Sequence, residues 1–187
     1  PVIEVSSFTE QVDQEFAEAL QKVVDAGEDK LILDLRFNGG GYLDASLNML
    51  SYFIEEGETL VHIRDQQGLE SREAFNPGLR YNGQLVVLIN DSSASASEIV
   101  AGALQDYQKA VLVGVTTFGK GTVQELLDLR DSSTLRITVA EWLTPLKRTI
   151  EGEGITPDIE IPLDYQSFQN GDDTQMLKAL EYLTSLP

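Results

Sequence analysis

The stretch Asn90 to Asp106 holds residue types that could do chemistry: Asn-Asp-Ser-Ser-Ala-Ser-Ala-Ser-Glu-Ile-Val-Ala-Gly-Ala-Leu-Gln-Asp. It follows the apolar run Leu85 to Ile89, which reads as a buried strand, and Ile99, Val100, Ala103 and Leu104 then fall on one helix face. Ser95 therefore stands at a strand-to-helix turn, where the first free N–H groups of the helix point outward. Attack by a serine leaves negative charge on a carbonyl oxygen, and such N–H groups can receive it. The same serine is followed by Glu98, and S-x-x-E is a capping box that needs no chemistry. On this stretch alone both readings stand.

Lys120, 25 residues after Ser95, is the second candidate; it sits between Gly119 and Gly121 in an otherwise uncharged segment from Ala110 to Gln124. A lysine is a general base only when neutral, and burial drives an amine that way. The flanking glycines leave room for apolar neighbours such as Phe118 and Val123 to pack around it. That reading expects a buried amine, and its rival is a solvated turn lysine. Gln124, on the strand that follows, could accept from the amine and fix its direction, the part played by the third member of other triads. Gly39-Gly40-Gly41 is either a plain tight turn or a place where backbone N–H groups approach a ligand. Asp106 closes the helix of Ser95, where a cation would be favoured, so it needs a separate reason.

These residues need a frame. Pro1 to Phe8 reads as a strand, and Thr9 can cap a helix through about Ala26, ended by Gly27. Lys30 to Leu35 is a buried strand, followed by the glycine turn and a helix from about Tyr42 to Ile54. Thr59 to Asp65 and Leu69 to Phe75 form a hairpin. Ala110 to Gly114 is a short strand. A glycine-flanked turn enters the strand of Gln124, and Asp131-Ser132-Ser133 turns it into Leu135 to Trp142. Asp173 to Leu186 is an amphipathic helix. Strand-helix-strand units with hairpins predict an α/β fold with a mixed sheet.

Composition narrows the chemistry. The 187 residues can bury one sizeable core, and 42% hydrophobic with 24% charged residues is ordinary for a globular chain. A net charge of −18 argues against nucleic acid and against an anionic membrane surface. With no cysteine there is no thiol nucleophile, thiolate zinc site or disulfide. The single histidine, His62, lies in a strand, so a Ser-His-Asp triad would have to use it. The start on Pro1-Val2-Ile3-Glu4-Val5, without Met, is the pattern of a domain separated from an upstream part.

Taken together, the chain resembles the carboxyl-terminal processing (tail-specific) serine peptidases over nearly its whole length. Asp34 to Gly41 is similar to the family's D-L-R-x-N-P-G-G. Ser93 to Asp106 resembles its nucleophile segment, Thr117 to Gln124 its lysine segment, and Thr144-Pro145 with Arg148, Ile150 and Gly154 to Asp158 its closing motif. The Ser95 to Lys120 spacing equals the family's. The resemblance implies a crotonase/ClpP-like ββα fold with flanking helices, and a single core domain over 1–187 without the family's upstream PDZ domain. It implies Ser95 as nucleophile, Lys120 as general base and Gln124 as orienting member. It also implies an oxyanion hole from Ala96 N–H and that of Gly40 or Gly41, with Asp106 in support. Gly39 replaces the family's proline, which should loosen the oxyanion loop.

The implied function is endopeptidase action on proteins at or near unstructured C-terminal tails, through an acyl-enzyme, in an extracytoplasmic compartment, with no metal, nucleotide or other cofactor. Three rivals remain: a retinoid- or lipid-binding module of the same fold, a crotonase-like acyl-CoA enzyme, and a domain inactive without its PDZ partner.

Overall fold

The protein, a computed structural model, is described over residues 1–129, 131 and 133–186. The chain runs β1 (Val2–Glu4), α1 (Val12–Asp25), β2 (Lys30–Asp34), α2 (Leu43–Leu50), β3 (Thr59–Arg64), β4 (Leu69–Glu73), β5 (Gln84–Ile89), α3 (Ala96–Asp106), β6 (Val111–Gly114), β7 (Thr122–Asp128), β8 (Thr134–Leu143), β9 (Ile159–Glu160), α4 (Tyr165–Gln169) and α5 (Thr174–Ser185). The α/β class is as expected. Its two kinds of pairing segregate into a parallel sheet, β1-β2-β5-β6-β9, and an antiparallel one, β4-β3-β8-β7.

The strands read as continuous apolar runs are those covered on both faces. Leu31, Leu33, Leu85, Val87 and Ile89 join the core that includes α1, α2 and α3. Ile32, Val86, Leu88 and Val113 pack on the other side with Ala179 and Leu183 of α5. Because β2, β5 and β6 are parallel neighbours in register, Asp34 pairs Leu88 and Ile89 pairs Gly114. Their carboxyl ends therefore lie side by side, and the three loops that follow leave from one rim. In open α/β sheets that rim is where ligands bind.

Some boundaries differ from expectation. The helix expected from Thr9 begins at Val12, behind Gln11, without a side-chain cap. α2 stops at Leu50; the chain to Ile54 continues in tighter turns, with Tyr52 N–H on Met49 O and Phe53 N–H on Leu50 O. Of the turn expected at Asp131-Ser132-Ser133, Ser132 lies outside the described residues.

One buried cation ties the C-terminal helices to the loop after β2. Arg36 has only 4% of its side chain exposed and bonds Asp34 at 2.7 Å and Asp173 at 2.8 Å. It also lies 5.2 Å from the centre of the Phe168 ring. Asp173 caps α5 by accepting the Met176 N–H at 2.9 Å. Burial alone would raise the Asp173 carboxyl, but the Arg36 hydrogen bonds and the Met176 N–H outweigh it and hold it below its ordinary value of 3.8. A carboxyl depressed in the fold adds stability that is complete above the unfolded value and disappears as pH falls through the folded one. Asp173→Asn is accordingly expected to lower the melting temperature at neutral pH, with the difference from the parent closing as pH falls below about 4. Thermal unfolding followed at a series of pH values checks this; a pH-independent difference would rule it out.

Candidate active site

Three loops meet at the rim: residues 36–42 after β2, 90–95 after β5 and 115–121 after β6. Buried polar side chains stitch them together. The Ser93 hydroxyl donates to Leu35 O at 2.8 Å, and Phe118 N–H donates to Ser93 O at 3.0 Å. Asn38, fully buried, accepts at its carbonyl from Ala94 N–H at 3.0 Å and from the Ser97 hydroxyl at 2.9 Å. Its side chain donates to Val5 O at 2.7 Å. The looser loop expected from Gly39 is thus anchored on both sides of that glycine, since Gly40 O also accepts Phe8 N–H at 3.0 Å.

Ser95 occupies the cap position of α3 with φ 56° and ψ −114°. A non-glycine residue at positive φ is strained, and such strain persists only where the surroundings over-determine it. Here Glu98 supplies that constraint. It is fully buried, and its carboxylate accepts four donors: Ser95 N–H at 2.8 Å, Lys120 N–H at 2.8 Å, Gly119 N–H at 2.6 Å and the Thr117 hydroxyl at 2.6 Å. The S-x-x-E pattern is therefore more than a cap. Its acid joins the backbone of the serine turn to that of the lysine turn. The sequence signal was one acid inside a helix whose residues Ala96 to Leu104 are all buried, since a buried charge needs partners.

The glycine turn is equally constrained. A methyl group on Gly40 would lie 2.8 Å from Ser95 Cβ and 3.1 Å from Ala96 N, and one on Gly41 would lie 2.1 Å from Phe8 O. Both residues also have positive φ, 100° and 146°. Gly40 N–H is used internally, donating to Asn38 Oδ1 at 2.9 Å. The N–H groups of Gly41 and Ala96 donate to no other described residue. Between the two glycines named from the sequence, Gly41 is the one with an available donor.

Ser95, Lys120, Gln124 and Gly41 line one cleft of about 290 Å³, together with Thr122, Val123 and Trp142. Gly39, Asp91, Ser92, Ala94 and Phe118 line a second cleft of about 450 Å³, which shares Lys120 with the first. The expectation of a buried amine is not met. Lys120 is exposed, and its amine makes no hydrogen bond or ion pair among the described residues, with Ser95 included. Phe118, expected to cover it, is 64% exposed. The anchors of this turn are the Thr117 hydroxyl and the Gly119 and Lys120 N–H groups, all directed at Glu98, which leaves the lysine side chain facing out. Gln124 is exposed as well.

Asp106 is not in the cleft. It accepts Leu146 N–H at 2.8 Å and Arg148 Nε at 2.9 Å, which holds the loop after β8. That is the separate reason its place at a helix C-terminus required. His62 is buried, with Nδ1 2.8 Å from the Ser71 hydroxyl and Nε2 3.2 Å from Pro145 O. Both ring nitrogens are engaged in packing the antiparallel sheet, so no histidine serves Ser95. Among the described residues no helix is long and apolar enough to cross a membrane.

Comparison with known proteins identifies the chain's relatives. The pattern of peptidase family S41 matches residues 2–161. A "Probable CtpA-like serine protease" of Staphylococcus aureus is 38% identical over 192 residues, which cover 96% of this chain and 39% of that protein. A "Carboxyl-terminal-processing protease" of Synechocystis is 40% identical over 185 residues, 97% of this chain and 43% of that one. The chain thus spans about two fifths of the length of these relatives. The photosystem II D1 C-terminal processing protease superposes with a TM-score of 0.81 and 34% identity, covering 86% of this chain and 42% of its own. The matched pattern and the near full-length similarity of this chain to both relatives place it in one family: the chain belongs to peptidase family S41.

Proposed function

We propose that the chain carries a serine endopeptidase centre in which Ser95 is the nucleophile, Lys120 the general base and Gln124 the group that orients the lysine amine. The observation that carries this reading is the single cleft lined by Ser95, Lys120, Gln124 and Gly41. Ser95 Oγ bonds to the scissile carbonyl carbon as its proton passes to the Lys120 amine. The carbonyl oxygen takes up negative charge between the N–H groups of Ala96 and Gly41. Lys120 then gives its proton to the leaving nitrogen as the C–N bond breaks, and water hydrolyses the resulting ester by the same route.

A substrate lying over the cleft excludes water from the exposed amine, which favours the neutral form the first step needs. The names of two relatives, a carboxyl-terminal-processing protease and the D1 C-terminal processing protease, support protein substrates cut at or near their C-termini; that these tails are unstructured and lie outside the cytoplasm is part of the same proposal. The Lys120 amine, which among the described residues makes no bond to Ser95, supports a second reading, that of a resting site whose catalytic pair closes only when substrate is present.

The test is treatment of the folded chain with a fluorophosphonate, followed by mass spectrometry of its peptides. The expected result is one adduct, on Ser95. Modification elsewhere with Ser95 untouched would refute the assignment.

A further inference from the structure

The turn that carries Lys120 is held from outside as well as by Glu98 of α3. Gly121 is buried, and its N–H donates to the Glu151 carboxylate at 2.8 Å. Gly152 N–H donates to Gly119 O at 2.9 Å. The residues on either side of Lys120 are therefore bonded to one short loop, 150–154. A methyl group on Gly121 would lie 2.4 Å from Glu151 N, so the two backbones can approach this closely only at a glycine. At that position the room expected for apolar side chains is taken by the loop. The loop is in turn tied to the far end of α3. Arg148 Nε donates to Asp106 at 2.9 Å, and Gln105 Nε2 donates to Thr156 O and to Asp158, each at 3.0 Å. One helix thus carries Ser95 at its start and, through this loop, grips the lysine turn from its end.

We propose that Glu151 is a positioning residue for Lys120, the outer half of a clamp whose inner half is Glu98. This rests on the proteolytic reading above, in which Lys120 is the base for Ser95. Glu98 takes the N–H groups of Gly119 and Lys120 from one side, and Glu151 takes that of Gly121 from the other. Three consecutive N–H groups fixed by two carboxylates set the peptide planes around Lys120, and with them the direction in which its side chain leaves the main chain. Glu151 is exposed and does not line the Ser95 cleft, so it acts through the turn. Without its carboxylate the buried Gly121 N–H loses its acceptor, a cost the turn relieves by moving. A misplacement near 1 Å at a reacting group can cost about 10²-fold in rate. Glu98 still holds the inner side, so the shift is smaller and kcat should fall about tenfold. The cleft that binds the peptide is unaltered, so KM should not change.

The test compares the parent with Glu151→Ala and Glu151→Gln, using oxidised insulin B chain as an unstructured peptide substrate. Glu151→Ala should lose about tenfold in kcat with KM unchanged. Glu151→Gln keeps an oxygen that can accept the Gly121 N–H, so it should stay close to the parent. Hydrogen exchange of single amides in the same proteins reads the turn without any substrate. The Lys120 N–H is bonded to Glu98 and not to Glu151, so its exchange reports movement of the turn rather than the deleted bond. It should become about tenfold faster in Glu151→Ala and not in Glu151→Gln. If the parent cleaves the peptide and Glu151→Ala keeps the parental kcat, the positioning role is overturned while the peptidase reading stands. A loss in Glu151→Gln as large as in Glu151→Ala would overturn it too, since the charge and not the hydrogen bond would then matter. If the parent cleaves nothing, the peptidase reading fails and exchange decides the rest: a faster Lys120 N–H in Glu151→Ala supports the clamp, and an unchanged one overturns it.

Discussion

Replacing Lys120 by Met is expected to lower kcat for peptide cleavage by about 10²–10⁴-fold, the usual contribution of a positioned general base. Stability should barely change. The side chain is exposed and its amine bonds to no described residue, and surface substitutions of that kind fall within about 0.5 kcal/mol. The main-chain N–H of residue 120 remains available to Glu98 in the variant. Lys120→Arg should be as inactive as Lys120→Met, because a guanidinium keeps its proton at any usable pH. This pairing of variants separates two roles for the positive charge. If Lys120 only attracted an acidic substrate, arginine would serve and KM would carry the loss. If it removes a proton, both variants fail in kcat. Steady-state kinetics beside thermal melts would decide. Activity retained by Lys120→Arg would remove the general-base role from residue 120.

The sequence carried the frame and the candidate residues further than their environment. β2, β5 and β6 were legible because strands covered on both faces are continuous apolar runs, and α3 and α5 because their apolar residues keep a helical period. β9, with two residues, and α4, with five, are too short to carry a period. The environment of Lys120 was misjudged because apolar neighbours in sequence were taken as neighbours in space. Phe118 points outward, and the acid that organises the turn comes from α3. The partner of Asp106 is Arg148, on a loop far along the chain, and no local pattern announces such a pair. The choice of Gly41 over Gly40 also needed coordinates, since it turns on which N–H the Asn38 side chain takes. Glu98 was read as a cap competing with catalysis. The cap and the site proved to share one carboxylate, because the N–H it caps belongs to Ser95 and its remaining capacity goes to the lysine turn.

That sharing makes Glu98 the residue outside the proposed catalytic set with the largest expected effect. Its two oxygens are each filled by two donors: Oε2 by the N–H groups of Ser95 and Lys120, Oε1 by Gly119 N–H and the Thr117 hydroxyl. Glu98→Gln keeps the shape but replaces one oxygen with an NH2, which can only donate. With that NH2 on the Oε2 side, two N–H groups would face it, so the amide oxygen is expected to stay there. The NH2 then faces the Thr117 oxygen, which can turn to accept, and Gly119 N–H, which cannot. One unpaired buried N–H costs about 1–3 kcal/mol, and the Gly119 turn should shift to relieve it. A displacement near 1 Å at a reacting group can cost about 10²-fold in rate, so kcat should fall by about that factor while KM changes little. Glu98→Ala orphans all four donors and should destabilise the fold by more than Glu98→Gln does. The comparison is made on protein kept well below its melting temperature, with urea unfolding run alongside. If Glu98→Gln were destabilised as expected yet kept the parental kcat, the carboxylate would be holding the fold without aligning serine and lysine, and its positioning role would fall.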